Sequence, residues 1–438
     1  MIAAKELKSY SSTRNSCKLC APLGASLVFK GIEGCVPLIH GSQGCATYIR
    51  RYMISHYKEP VDIASSNFSE ESTVYGGSKN FITGIDNIIK QYKPSVIGIA
   101  STCLSETIGE DIPGHIRNYK ELHEEDGSTM PVFIHTSTPS YCGSHADGFH
   151  NTVLSTLKTL AKYEKKGESI TVLPGMVTPA DIRYLKEILT DFGMEHTIFP
   201  DYSETLDNVY TSEYQLIPSG GTSIPELISI GDSKAVIEFG TVFNRGYLKA
   251  RPAAALPTAG EWLESTFFFK NHQMTMPIGL NASDALMDAL KSITGKEMPE
   301  KYQKERGRLV DAYVDAHKYV FGKKALLYGE EDLVTALADW LREIGMEPLW
   351  LRDTDFETLR ERAEEFQPDM LIGNSKGYYI ARERKIPLVR LGFPIHDRFG
   401  ASRIHQIGYR GTQTLFDLVV NALIEFKQEN SPIGYKYI

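Results

Sequence analysis

Six cysteines, Cys17, Cys20, Cys35, Cys45, Cys103 and Cys142, fall in the first third of a 438-residue sequence, and none follows. Thiols act as nucleophiles, redox pairs or soft metal ligands, so any thiol chemistry belongs to the N-terminal part. Cys17-Lys-Leu-Cys20 is a CxxC pair that suits zinc, a redox dithiol or an iron–sulfur cluster. A structural zinc site usually brings a second CxxC or paired histidines, and neither occurs here. A thioredoxin-like pair would open a helix after a strand, yet SYSSTRNS before Cys17 is polar and strand-poor. Cys45 closes HGSQGC (40–45) and Cys103 lies in STCLSETIG (101–109), with Ala21, Gly41, Gly44 and Ala46 close to the thiols. A bulky, anionic iron–sulfur cluster needs thiolates on loops whose N–H groups can approach the sulfides, and small residues permit that. Cluster ligation is compatible with the pattern. Packing of any one cysteine as a small buried hydrophobe is the alternative.

The elements that must position these loops read as βα units. Short apolar runs alternate with amphipathic stretches, the pattern of parallel sheets covered by helices. In the first block, Ser95–Ala100 and Pro131–His135 read as buried strands and Gly143–Tyr163 as a helix. The second has strand Ser169–Leu173, a helix from about Pro179 to Phe192, and strand His196–Phe199. The third has strands Lys324–Tyr328, Glu347–Leu351, Asp369–Gly373 and Pro387–Leu391, with helices Glu331–Ile344 and Phe356–Phe366. The expected architecture is α/β, with three Rossmann-like domains at 1–166, 167–298 and 299–438. The polar stretches Lys162–Glu168 and Gly295–Arg308 separate them. Ligands of parallel sheets bind at the C-terminal ends of strands, so the loops after Ala100, His135, Leu173, Gly373 and Leu391 are the places to look.

Composition narrows the classes. With 42% hydrophobic and 23% charged residues the chain is an ordinary globular one, neither disordered nor fibrous. A net charge of −8 provides no global basic field for nucleic acid or an anionic membrane. No run approaches a membrane span, and Met1–Tyr10 lacks the apolar core of a signal peptide, so a cytoplasmic location is expected. No Ser/His/Asp or Walker-type pattern supports a hydrolase or NTPase.

HGSQGC (40–45), YIRRYMISHYKEP (48–60), SEESTVYGG (69–77) and STCLSETIGEDI (101–112) closely resemble the β-type subunits of nitrogenase component 1. Further matches run through TPSYCGSH (138–145), PDYSETLDN (200–208), KERGRLVDAYVDAH (304–317), IGNSKG (372–377) and RLGFPIHDRFGA (390–401). The resemblance covers essentially the whole chain. It implies three Rossmann-like domains and pairing with an α-type subunit in an α2β2 assembly served by a transient reductase iron protein. In catalytic members, β-subunit cysteines matching Cys20, Cys45 and Cys103 ligate an eight-iron P-cluster at the αβ interface, and a nearby serine matches Ser140. In the scaffold on which the cofactor is assembled, a simpler 4Fe–4S cluster takes that place, and the β-type chain supplies as little as the cysteine matching Cys45. The iron–molybdenum-type cofactor, or its precursor, sits in the partner (NifD-like or NifE-like).

Two features look closer to the scaffold subunit NifN than to the catalytic chain. One is compactness, the chain showing no long N-terminal extension and running directly from IGNSKG through ARERKIPLVRLGFP; the other comprises PDYSETLDN and GASRIHQIGYRGTQTLFDLVVNAL (400–423). The scaffold is therefore the expectation. A catalytic β subunit of a nitrogenase, or of a nitrogenase-like reductase such as a methylthio-alkane reductase, is the alternative, and a structural zinc protein lies outside the family. Among the other candidates, His40 reads as a packed or hydrogen-bonded neighbour of Cys45 with a metal ligand as the alternative, Cys17 as a supporting thiol with a ligand role in place of Cys20 as the alternative, Cys35 as core, and Cys142 as a packed loop thiol with a ligand role as the alternative. Ser105-Glu106-Thr107 reads as the cap of a helix after Cys103. Arg50, Arg51 and Lys58 read either as a docking face for an acidic iron protein or as scattered surface charge.

Overall fold

The structure is a computed structural model that describes residues 16–123, 130–240, 257–351 and 354–434. The Met1–Tyr10 stretch, and most of the polar run before Cys17, lie outside the described residues. Twelve strands among them form three four-stranded sheets, and within these sheets the strands pair in parallel. The first contains β1 (Cys35–His40), β2 (Ala64–Ser65), β3 (Val96–Ser101) and β4 (Val132–Thr136). The second contains β5 (Ile170–Leu173), β6 (His196–Ile198), β7 (Ala235–Phe239) and β8 (Lys270–Met274). The third contains β9 (Lys324–Tyr328), β10 (Glu347–Leu351), β11 (Met370–Gly373) and β12 (Leu388–Arg390).

All three share one spatial order: β2-β1-β3-β4, β6-β5-β7-β8 and β10-β9-β11-β12. The chain leaves the first strand of each sheet towards one edge and later returns to the other side of that strand. The crevice at this reversal, between the first and third strands, is where an open parallel sheet accepts ligands. In the first sheet it opens where His40 pairs with Ser101.

The expected strands appear to within one residue of their ends. Four strands were missed. β1 is interrupted in sequence by Pro37, β2 is two residues long, β7 carries a buried Glu238, and β8 (KNHQM) is a polar edge strand with no apolar face. Glu238 is accommodated because Thr258 Oγ1 (2.7 Å), the Gly260 N–H (3.0 Å) and Asn271 Nδ2 (3.0 Å) all donate to its carboxylate. Within the stretch read as a polar separator, a 21-residue helix already begins at Glu300 and runs to Val320.

Seven helices matter for the site: α1 (Ala21–Lys30), α2 (Gln43–Tyr57), α3 (Glu70–Tyr75), α4 (Ser78–Tyr92), α5 (Cys103–Ile108), α6 (Ile112–His123) and α7 (His145–Leu160). Pro22 sits in the first turn of α1, where a missing N–H costs nothing. α1 is buried at all ten positions and crosses α7 at glycine distance. A Cβ on Gly148 would meet the Ala21 carbonyl at 2.0 Å, and one on Gly24 would meet that of His145 at 1.8 Å. Among the described residues no helix is long and apolar enough to cross a membrane.

Candidate metal-cluster site

Cys45 and Cys103 reach the site from either side of the first sheet's crevice. After β1, Ser42 caps α2 and Cys45 stands in that helix's first turn. After β3, Thr102 caps α5 through a capping box with Ser105, and Cys103 is the first helical residue. Of the Ser105-Glu106-Thr107 run expected to form the cap, Ser105 takes part, and Thr102 is its reciprocal partner. The two loops touch: Thr102 Oγ1 donates to the His40 carbonyl at 3.2 Å, and a Cβ on Gly41 would lie 2.2 Å from that hydroxyl. Only glycine at 41 lets the Cys45 loop lie this close to the Cys103 loop.

Cys20 arrives from elsewhere. Residues 16–21 are strapped across the molecule by the Cys17 N–H to the Thr354 carbonyl (3.0 Å), Asn374 Nδ2 to the Cys17 carbonyl (2.9 Å) and the Leu19 N–H to His145 Nδ1 (3.0 Å). An isolated bridge pairs Cys20 with Ser144. Cys20 then serves as the N-terminal cap residue of α1, without a side-chain bond of its own. The CxxC pair thus splits: Cys17 is buried among Leu326, Tyr328 and Phe356 of the third sheet's core, while Cys20 is exposed. Ser140 ties the strap to the sheet. Its Oγ accepts the Ala21 N–H (3.2 Å), and its own N–H points at Cys103 Sγ (3.2 Å). Glu106 holds the Ser140 loop in place by accepting from Ser101 Oγ (2.5 Å) and Ser137 Oγ (2.6 Å).

Cys45 and Cys103 lie close enough to Cys20, and Cys103 to Cys45, to disfavour ionisation of Cys20 and Cys45. Burial, then the Cys45 and Cys103 thiols, push Cys20 up to about 11, and burial followed by Cys103 raises Cys45. All three nonetheless open to the surface, so they line a recess rather than a core. Each stands at a helix start, where unpaired N–H groups and the helix dipole favour negative charge. Three soft thiols with small neighbours and the Ser140 N–H on Cys103 Sγ suit an iron–sulfur cluster better than a redox pair or a tetrahedral zinc site. Because Cys20 and Cys45 are held towards their protonated forms, metal must displace those protons on binding.

The remaining candidates separate by burial. Cys35 lies inside the core, pushed up to about 12 by burial, and Cys142 is half-buried in the loop beyond Ser140. His40 is wholly buried and bonded through Nε2 to Glu110 (3.0 Å). Arg51 is exposed, Arg50 pairs with Asp62 (3.1 Å), and Lys58 sits 5.1 Å over the Phe399 ring. Sequence reasoning missed an apolar rim: Tyr48, one helical turn beyond Cys45, Tyr141 beside Ser140, and Val74 and Tyr75 on α3, which packs on α5. Tyr75 is 84% exposed. The signal was available in the helical spacing of Cys45 and Tyr48, though exposure itself is a tertiary property.

A family model described as nitrogenase component 1 type oxidoreductase matches residues 20–351 and 348–424. The chain is 34% identical over 454 aligned residues to the nitrogenase molybdenum-iron protein beta chain of Clostridium pasteurianum, covering 96% of this chain and 95% of that one. It is 32% identical to the beta chain of the same name from Methanothermobacter marburgensis, covering 92% and 93%. A chain of the solved structure "Nitrogenase Cp1 at pH 6.5" superposes with a TM-score of 0.91 at 33% identity, covering 99% of this chain and 98% of that one. A chain of "Nitrogenase Cp1 at pH 5" superposes at 0.71 with 16% identity, a likeness of fold alone. On this agreement along nearly its full length, the chain belongs to the nitrogenase component 1 family, as a β-type subunit.

Proposed function

We propose that this chain is the β half of a cytoplasmic α2β2 component 1 of the catalytic kind, in which Cys20, Cys45 and Cys103 ligate a P-cluster-type iron–sulfur cluster shared with an α-type subunit. The observation that carries the reading is the meeting of three thiols, from stretches separated by up to 83 positions, at helix starts on an open face. The rim of Tyr48, Val74, Tyr75 and Tyr141 around that face is the kind of surface a protein partner covers. When bound, the cluster supplies one-electron storage and relay between a docked iron protein and the partner's cofactor. This chain's own contribution is placement. The Ser140 N–H steadies Cys103 Sγ, the Glu106 carboxylate fixes the Ser140 loop, and Gly41 sets the spacing of the two strand-end loops.

The compactness that pointed to the scaffold subunit does not discriminate, since this chain spans 95% of the Clostridium beta chain, named for a molybdenum-iron protein. The cleft between the sheets also supports a partner-held cofactor. It is lined by Asp147, Glu330, Glu331 and Asp332, which would repel an anionic cluster. Anaerobic co-purification with the α-type partner, iron counting, electron paramagnetic resonance and acetylene reduction with the iron protein test the reading. Eight interface irons per αβ pair with turnover are expected. A lower count with accumulated precursor and no turnover would move the chain to the NifN-type scaffold. An eight-iron cluster without nitrogenase turnover would point to a related reductase, and zinc without iron would overturn the cluster.

A further inference from the structure

Behind the Cys45 and Cys103 loops lies a second set of metal-ligating groups that the cluster does not use. His40 ends β1, Glu110 follows α5, and His115 stands on the first turns of α6. Both imidazoles turn Nε2 towards the same carboxylate oxygen: His40 at 3.0 Å and His115 at 2.9 Å from Glu110 Oε2. The three candidate ligand atoms all lie within 4.8 Å of one another. The other carboxylate oxygen, Oε1, is taken by the Gly77 N–H at 2.7 Å, so Glu110 is oriented to offer a single oxygen.

We propose that His40 Nε2, His115 Nε2 and Glu110 Oε2 form a mononuclear site for a divalent first-row ion of the zinc or ferrous class, independent of the iron–sulfur cluster. Ligands about 2.1 Å from such an ion stand roughly 3.0–3.4 Å apart, and the oxygen–nitrogen separations already approach that range. Two imidazoles and one monodentate carboxylate match the donor set that selects these ions, and the partly open His115 side leaves room for water as a further ligand. A metal at this site would displace the proton that His40 Nε2 places against Glu110 Oε2, so its binding releases protons.

The packing points the same way. His40 is 0% exposed, boxed edge-on by Phe68 (4.8 Å) and Phe81 (5.2 Å), and its Nδ1 has no partner. Boxed in this way, the ring keeps Nε2 aimed at the Glu110 carboxylate. An ion here would pin β1, the Gly77 turn and α6 together one layer behind Cys103, whose helix cap bonds the His40 carbonyl.

The test titrates cobalt(II) into the metal-stripped full-length chain and follows its visible ligand-field bands. Thiolate-bound cobalt is separated by its near-ultraviolet charge transfer. A site giving ligand-field bands that survive Cys45→Ala is expected. Glu110→Gln and His115→Phe should each weaken it at least about tenfold. Because His115 is partly exposed, His115→Phe should leave the folded circular dichroism signal unchanged. Wild-type affinity in His115→Phe, bands that vanish with Cys45→Ala, or no bands in the unaltered chain would overturn the site and leave a hydrogen-bonded strut.

Discussion

The loops after β3 and β11 occupy the same place in two sheets of identical strand order, yet they are finished differently. After β11, Asn374 caps the next turn and is 1% exposed. Its Nδ2 donates to the carbonyls of Cys17 (2.9 Å) and Phe393 (3.1 Å), and its own carbonyl accepts from Tyr328 Oη (2.5 Å). Ser375 bonds Asp397, which Arg390 grips with two nitrogens. After β3, Thr102 caps in the same manner, but the next residue is an exposed cysteine beside two others. A strand-end crevice is a potential site in every open parallel sheet. It becomes a plug where side chains satisfy one another and remains a receptor where they are left facing outward.

The largest expected contrast is in metal content. Cys45→Ala should remove most of the interface iron while shifting the stability of the metal-free chain by no more than about 0.5 kcal/mol, because the residue is exposed. Iron analysis beside urea denaturation reads both, and wild-type iron would break the comparison. Asn374→Ala should do the reverse. Losing its buried side-chain bonds and orphaning two carbonyls should cost about 2–4 kcal/mol with iron per folded chain unchanged. A midpoint within error of wild type would remove the distinction between plug and receptor.

Acid probes the closed side next. His56 Nδ1 accepts the Ile395 N–H (2.9 Å), tying α2 to the segment that closes the β11 loop, and burial lowers this imidazole to about 3. Burial also lowers His150 to about 4. Both are neutral when folded and protonate near the ordinary value of ~6.5 when unfolded, so the unfolded chain binds more protons below that pH. Stability should therefore fall as pH drops from about 6.5 towards 4. Asp181, pushed up to about 6 by burial, opposes this below pH 6, leaving a net loss of roughly 1–3 kcal/mol per pH unit. Urea midpoints between about pH 7 and 4.5 check the sign. A flat profile would mean that these imidazoles are not buried neutral.

The smallest contrast is within the CxxC pair. Cys17→Ser should cost about 1–2 kcal/mol by placing a hydroxyl in the third sheet's core, with iron retained. Cys20→Ser should leave stability nearly unchanged and lower iron. Equal iron loss in both would return Cys17 to the ligand set.

Most of the framework was legible because buried parallel strands are continuous apolar runs, as in SVIGIA, and helices end on residues such as Gly193 and Gly345. β8 was not legible because an edge strand needs no apolar pattern, and Glu238 hid β7 because its hydrogen-bond partners come from two other elements. Cys20, Cys45, Cys103 and Ser140 could be chosen by resemblance. Their convergence, the split between Cys17 and Cys20, and the meeting of His115 with His40 could not be read along the chain.

Composition, period and motif by themselves determined the α/β class, the family and the cysteines able to carry chemistry, because these depend on residue type and short-range spacing. Tertiary structure alone decided which thiols face outward together and which are locked in a core. It also decided that Glu110 stands between two histidines 75 positions apart. The physical reason is that exposure, shared electrostatics and hydrogen-bond satisfaction are set by long-range packing, which places residues distant in sequence within a few ångströms of one another.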